Sequence, residues 1–250
     1  MTGRVAKSNL SVLAFLPVYN EEEQIGRLLE RYRPVMEVGV VDELLAVDDG
    51  STDRTSDILA GDATCSVITH PEQQGCGAAI RSAYGYALQH GHDVFVIMAG
   101  NGKDDPAEIE RLVEPILAGE ADYVQGSRFL RGGTSRGLPA HRAMAIRLFT
   151  WTFSLFLWRR FTDCTNGFRA YRTAILTDPR ICWSQEWLGH SYEVEFYLHY
   201  KVNQLGYKVK EVPVSKIYRV SSNGSYTKVQ PWDWVTNLKP LFYLRLGLRA

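Results

Sequence analysis

Two adjacent carboxylates, Asp48 and Asp49, close an apolar run and are followed at once by Gly50 and Ser51. Carboxylates in such a place accept hydrogen bonds from a nucleobase edge or from ribose hydroxyls, and the glycine lets the backbone approach a ligand. The same residues also make an ordinary Asp-Gly turn, so the pattern needs company before it means a binding site. A second stretch, Met98-Ala99-Gly100-Asn101-Gly102-Lys103-Asp104-Asp105-Pro106, carries an amide, a lysine and two acids behind another apolar run. Lys103 is a compact charge suited to a phosphate, and the two acids suit either a metal or the start of a helix. Basic residues gather further on. Residues 128–172 hold nine Arg against one acid, Asp163, and residues 201–250 hold nine Lys or Arg against Glu211 and Asp233. Of the 28 bases and 28 acids these segments take 18 and three, so two basic segments stand beside an acidic remainder and invite anionic ligands or an anionic surface.

Those groups need elements to hold them. Residues 12–17 (VLAFLP) read as a buried strand, 21–32 as a helix with Ile25, Leu28 and Leu29 inward, and 43–48 as a strand. Then 52–60 reads as a helix capped by Ser51 or Thr52, 65–69 as a strand, 78–89 as a helix, 94–98 as a strand and 106–118 as a helix with Pro106 in its first turn. Strands apolar on both faces, alternating with helices, imply an α/β fold with a mostly parallel sheet flanked by helices. In such sheets ligands collect at the carboxyl ends of the strands, where Pro17–Asn20, Asp48–Ser51 and Ala99–Gly102 come together. Beyond them, 122–125 reads as a short strand, the glycine-rich 131–137 as a mobile loop, and 140–158 and 192–205 as helices. One domain is expected at 12–228, with a nucleotide half at 12–125, an acceptor half at 126–228 and an amphipathic tail at 229–250.

Several classes drop out. The four cysteines lack CxxC spacing and the apolar stretch before Pro17 is too short for a secretory signal, so a reduced, cytoplasmic compartment is expected. The six histidines lack metal-ligand spacing and read as structural or surface groups. The best apolar segment, 148–158, stops at Arg159-Arg160, short of the ~18 residues that cross a bilayer. It is aromatic and flanked by arginine, like the segment 232–249, so both suit a membrane surface as well as a protein core. No nucleic-acid partner is expected.

Six motifs recur in an order that resembles family 2 glycosyltransferases of the GT-A fold, and among them the dolichol-phosphate and polyprenyl-phosphate sugar synthases. They are Leu16-Pro17-Val18-Tyr19-Asn20-Glu21, Val47-Asp48-Asp49-Gly50-Ser51-Thr52-Asp53, Gly75-Cys76-Gly77-Ala78-Ala79-Ile80, Gly126-Ser127-Arg128-Phe129, Asp163-Cys164-Thr165-Asn166-Gly167-Phe168-Arg169 and Glu211-Val212-Pro213-Val214. The resemblance implies that Pro17, Tyr19, Glu21 and Asp49 contact the nucleotide, with Asp48 supporting the turn. It also implies Asp-x-Asp holding Mg²⁺ or Mn²⁺ after the 94–98 strand, where this chain has Ala99-Gly100-Asn101. An amide in place of two carboxylates weakens a site for a hard cation, so Asn101 is a poor metal ligand and the metal is expected weak or absent. Either Lys103 then neutralises the diphosphate, or Asp104 and Asp105 reach a displaced metal.

For the acceptor, the resemblance assigns phosphate-gripping roles to Arg128, Arg142 and the loop from Arg131 to Arg136, with Gly132-Gly133 as a closing lid. It places Arg219, Ser225 and Lys228 near the membrane and one of the α-helical acids, Glu195, at the site. Asp163 sits where the family keeps a general base, although a phosphate acceptor, already ionised near neutrality, needs none. The expected activity is inverting transfer from a nucleoside diphosphate sugar to a polyprenyl phosphate or lipid-linked acceptor, at the inner face of the membrane. A sugar-hydroxyl acceptor, or nucleotide binding without catalysis, are the competing readings. The sequence leaves the donor base, UDP or GDP, and the oligomeric state open.

Overall fold

The computed structural model describes residues 10–185, 188, 192–218 and 241–245. Its elements run β1 (Val12–Val18), α1 (Ile25–Glu37), β2 (Glu43–Asp48), α2 (Thr55–Ala60), β3 (Ser66–Thr69), α3 (Cys76–Gln89), β4 (Val94–Ile97), α4 (Ile109–Leu117), β5 (Tyr123–Ser127), β6 (Thr134–Arg136), α5 (Ala140–Leu157), β7 (Arg169–Arg172), α6 (Glu193–Gln204), β8 (Val209–Pro213) and β9 (Ser215–Ile217). Seven strands make one sheet in the order β3-β2-β1-β4-β7-β5-β8. Within it β7 runs antiparallel to β4 and β5, and the other pairings are parallel. The expected mostly parallel α/β sheet is therefore present, and it draws strands from both halves of the chain.

Alternation along β1 explains the layering. Val12, Ala14, Leu16 and Val18 pack with α1 and α4 residues such as Leu28 and Leu112 on one face, and Leu13 and Phe15 pack with α3 and α6 residues such as Ile80 and Tyr197 on the other. Each fully buried side chain of this size contributes about 1.5–3 kcal/mol, so neither face can be turned to solvent. The chain leaves β1 toward β2 on one side, while β4 lies on the other. That reversal opens a crevice at the carboxyl ends of β1, β2 and β4. Because β7 is antiparallel, its amino end, and with it residues 163–168, comes to the same edge.

Two local expectations are corrected. Neither Ser51 nor Thr52 caps α2, which begins at Thr55; Ser51 turns back to Asp48, and Asp53 Oδ1 accepts from Thr55 N at 3.0 Å instead. The stretch 131–137 is not a mobile loop: Thr134–Arg136 form β6, paired parallel with β9 in a second, two-stranded sheet. Its glycines are there for close packing. A Cβ on Gly133 would lie 2.4 Å from Ser127 O, and one on Gly137 2.4 Å from Tyr218 O. Backbone bonds from Thr134 N to Val214 O (3.1 Å) and Tyr218 N to Arg136 O (2.8 Å) hold the strand at both ends, which corrects the expectation of a lid at Gly132-Gly133.

Candidate active site

The ends of β1 and β2 are clasped by short polar side chains. Asp48, fully buried, accepts from Ser51 N (3.0 Å), Ser51 Oγ (2.5 Å) and the Ser56 hydroxyl, so it braces the turn. Asn20, in the left-handed region at φ 51, donates its backbone N–H to Ser51 Oγ (3.0 Å) and accepts from Thr52 N at 2.8 Å. Glu21 donates its backbone N–H to Thr55 Oγ1 at 2.8 Å, which sets the half-buried Pro17, Tyr19 and Glu21 along the rim of the crevice. Asp49 is almost wholly engaged by the protein: Oδ1 meets His70 Nδ1 (2.8 Å) and Gln74 N (2.9 Å), and Oδ2 meets Gly75 N (2.7 Å). It therefore fastens the 70–75 loop and the start of α3. Gly50 faces that loop rather than a ligand, since a Cβ there would lie 2.5 Å from the Glu72 carbonyl carbon.

After β4 the chain is pinned from both sides. A Cβ on Gly100 would come within 2.8 Å of Pro17 O, so only glycine lets this loop lie against β1. Arg31 donates to Gly102 O (3.4 Å) and Asp104 O (3.1 Å), and Ile217 N donates to Lys103 O (2.8 Å). Asp104 is buried and takes the Lys216 ammonium on both oxygens, each at 2.9 Å. Asp105 accepts from Ala107 N at 3.2 Å and pairs with Arg31 at 3.1 Å. Asp104 is thus committed on both oxygens, which corrects the expectation that it reaches a displaced metal; Asp105 engages Oδ1 and is half-exposed. Lys103 is half-buried; burial foremost, then neighbouring Lys216 and Arg142, bring its ammonium down to about 8 against the pull of Glu21 and Asp104. Its Nζ stands 6.0 Å from the Tyr218 ring centre.

On the other side of the crevice, Arg128 and Asp163 grip each other. Nε lies 2.7 Å from Oδ2 and Nη2 2.8 Å from Oδ1, and the Arg128 backbone N–H adds a bond at 3.1 Å. Thr165 Oγ1 and the Tyr218 hydroxyl take two more guanidinium donors. The fork expected to hold a phosphate is thereby occupied by a carboxylate. Burial acts to raise Asp163, but the Arg128 charge and hydrogen bonds outweigh it and hold the carboxyl below its ordinary range. Glu211, from β8, supports this loop by accepting from Thr162 N and Asp163 N. Arg142, in the first turn of α5, is half-buried and close enough to Arg128 and Tyr218 to feel both; burial lowers its proton affinity. Among the described residues its guanidinium has no ion-pair partner within 4.0 Å. Arg131, before β6, and Arg136, its last residue, are exposed, and Glu195 is buried against Gly167, 3.5 Å from Arg169 Nε. Arg219, Ser225 and Lys228 lie outside the described residues, as does most of the 229–250 tail.

Residues 14–178 match the family described as glycosyl transferase family 2. The chain belongs to that family. This transferase is 31% identical over 218 residues to an undecaprenyl-phosphate mannosyltransferase of Micrococcus luteus, covering 84% of this chain and 85% of the relative. It is also 31% identical over 210 residues to a polyprenol monophosphomannose synthase of Mycolicibacterium smegmatis, with 81% and 76% covered. Its GT-A fold resembles glucosyl-3-phosphoglycerate synthase from Mycobacterium tuberculosis, solved with Mn²⁺, UDP and glucosyl-3-phosphoglycerate, at a TM-score of 0.68 and 20% identity, covering 97% of this chain and 82% of that one.

The transferase does not offer that neighbour's ion an evident home. Ala99 supplies a methyl group, Asn101 Oδ1 accepts from Lys103 N at 3.3 Å, and Asp104 is paired with Lys216. Among the described residues no group of three His, Cys, Asp or Glu is placed to hold a metal. Sequence reading missed Lys216, Tyr218 and the tie from His70 to Asp49. A lysine alternating with Ser215 and Ile217 on a short strand reads as solvated, and only the pairing of β6 with β9 turns it inward.

Proposed function

We propose that this transferase moves a hexose from a nucleoside diphosphate sugar to a polyprenyl phosphate at the inner face of a membrane, with inversion at the anomeric carbon. The observation that carries the reading is that cations of both halves meet at Tyr218: the Lys103 ammonium, from the nucleotide half, stands 6.0 Å from its ring centre, and the Arg128 guanidinium, from the acceptor half, donates to its hydroxyl. Two cations from different halves suit one crevice that receives two phosphorylated substrates, and the named activities of the two relatives support a polyprenyl phosphate as one of them. An acceptor phosphate oxygen forms the new bond to the anomeric carbon as the bond to the diphosphate breaks, its electron pair leaving with the β-phosphate. Positive charge fixed beside that leaving group lowers the barrier without reorganisation.

Pro17, Tyr19 and Glu21 on the rim are assigned to the base and ribose, with Asp48 and Asp49 shaping the floor beneath them. Arg142, Arg131 and Arg136 are assigned to the acceptor. Asp163 acts through Arg128, and its occupied oxygens favour a phosphate, already ionised, over a sugar hydroxyl that needs a base. The residues at 99–101 do not fit a Mg²⁺ or Mn²⁺ ion, so no step runs through one.

The membrane part rests on α5. Met144, Leu148, Trp151, Leu155 and Trp158 form one exposed apolar stripe, with Trp158 81% exposed. Arg147, Arg159 and Arg160 flank it, and α5 carries no acid. Such a face suits the boundary between acyl chains and anionic headgroups, with Arg142 at the end nearer the crevice. No described helix is long and apolar enough to cross a membrane. The test is transfer of labelled hexose from GDP-mannose or UDP-glucose to undecaprenyl phosphate, read as label in the organic phase. Protein that transfers from no common sugar nucleotide, and binds none, overturns the reading.

A further inference from the structure

The geometry points to a donor diphosphate held without a divalent cation, its charge met by the Lys103 ammonium. This inference rests on the nucleotide-sugar reading above and concerns how the same crevice handles the charge of the leaving group. Three observations carry it.

The oxygens that a cation would need are spent or missing. The Ala99 side chain has no ligating atom, Asn101 offers one amide oxygen already turned to Lys103 N, and Asp105 turns Oδ1 to Ala107 N and Arg31. Both oxygens of Asp104 bind Lys216 at 2.9 Å, while Asp48 and Asp49 hold Ser51, Ser56, His70, Gln74 and Gly75. Freeing Asp48, Asp49 or Asp104, all buried, for a metal leaves their donors unsatisfied, at a cost that weak amide ligation does not offset.

The ammonium is placed where a counter-ion is wanted. Lys103 is half-buried with Lys216, Arg142 and the acids Glu21 and Asp104 as its charged neighbours, and among the described residues its Nζ has no hydrogen-bond acceptor or ion pair within 4.0 Å. Lys216 cannot serve instead, because Asp104 neutralises it and Asn166 Oδ1 accepts from it at 3.0 Å. A cation so surrounded is stabilised by an anion from outside the chain, and a diphosphate is the anion that the crevice is read to receive.

The backbone under Lys103 is fixed in advance. Its carbonyl is bound by Ile217 N (2.8 Å), the carbonyls on either side are bound by Arg31, and Gly100 abuts Pro17 O. The charge therefore reaches the diphosphate from a rigid loop, as an ion in a preformed site would.

The experiment measures affinity for UMP, UDP, GMP and GDP by calorimetry, in EDTA and again with Mn²⁺, so that the gain from the second phosphate is read apart from the base and ribose. The expected gain is the same with and without Mn²⁺. In Lys103→Ala it falls by about 10- to 100-fold, the loss of one charge-assisted hydrogen bond, with monophosphate affinity unchanged, and Lys103→Arg retains most of it. In Ala99→Asp/Asn101→Asp/Lys103→Ala the gain returns only with Mn²⁺. A wild-type gain that vanishes in EDTA and returns with Mn²⁺, or one unchanged in Lys103→Ala, overturns the inference. Absence of binding for all four nucleotides overturns the donor reading itself, a result distinct from the other two.

Discussion

The Arg128 guanidinium and the Asp163 carboxylate meet edge to edge, at 2.7 and 2.8 Å, with side-chain exposures of 3% and 0%. In this geometry each group answers the other's buried charge, so removing one leaves the partner uncompensated. Asp163→Asn should cost about 3–5 kcal/mol of stability, seen as a lower urea midpoint with unchanged slope. Loss of turnover in that variant would not by itself identify a general base, because Arg128 is displaced as well. A variant as stable as wild type would show that the pair does not form.

Lys103 sets a pH dependence. With Glu21 and Asp104 holding its proton and burial, Lys216 and Arg142 expelling it, the ammonium of the free enzyme discharges near pH 8. UDP or GDP affinity should fall as pH rises through about 8, while Lys103→Arg stays flat there. Stability moves the other way. Between about 8 and the ordinary 10.5 the unfolded chain holds a proton that the folded one has lost, so this residue's contribution to stability rises with pH across that window. Nucleotide titrations across the range check the first statement, and urea curves the second.

Gly50 adopts φ +71, with the Glu72 backbone 2.5 Å from where a Cβ would stand. Gly50→Ala therefore strains the turn and pushes on the loop that Asp49 holds. A loss of about 1–3 kcal/mol is expected, together with weaker binding of UMP and GMP. Unchanged stability would mean that the 70–75 loop yields freely.

The outer stripe of α5 can be tested without any enzyme assay. Wild-type protein should sediment with vesicles containing anionic lipid, and less with neutral ones. Trp151→Glu/Trp158→Glu should abolish that binding while leaving the unfolding midpoint nearly unchanged, since both side chains are exposed. If the double variant binds as wild type does, the stripe is not the contact face.

Much of the fold was legible because its signals are local. Apolar runs such as 12–17 and 94–98 specify strands buried on both faces, and the helical spacing of Ile25, Leu28 and Leu29 gives α1 its inner side. The stretch 131–137 has the glycine-rich composition of a mobile segment and yet contains the strand β6. The function of its glycines is contact with Ser127 O and Tyr218 O, which a sequence does not display.

The residues at the strand ends, and the replacement of two acids by Ala99 and Asn101, are determined by the sequence alone. They are identities at positions that the strand and helix periods already place. Which charges neutralise which was decided by tertiary structure. Lys216 and Asp104 are 112 positions apart and Arg128 and Asp163 are 35 apart, and each pair meets only because strand register and the β6–β9 ladder bring the partners into one buried space. Pairing there is enforced by the cost of leaving a charge dry and alone, a cost that exists only once the chain has folded around it.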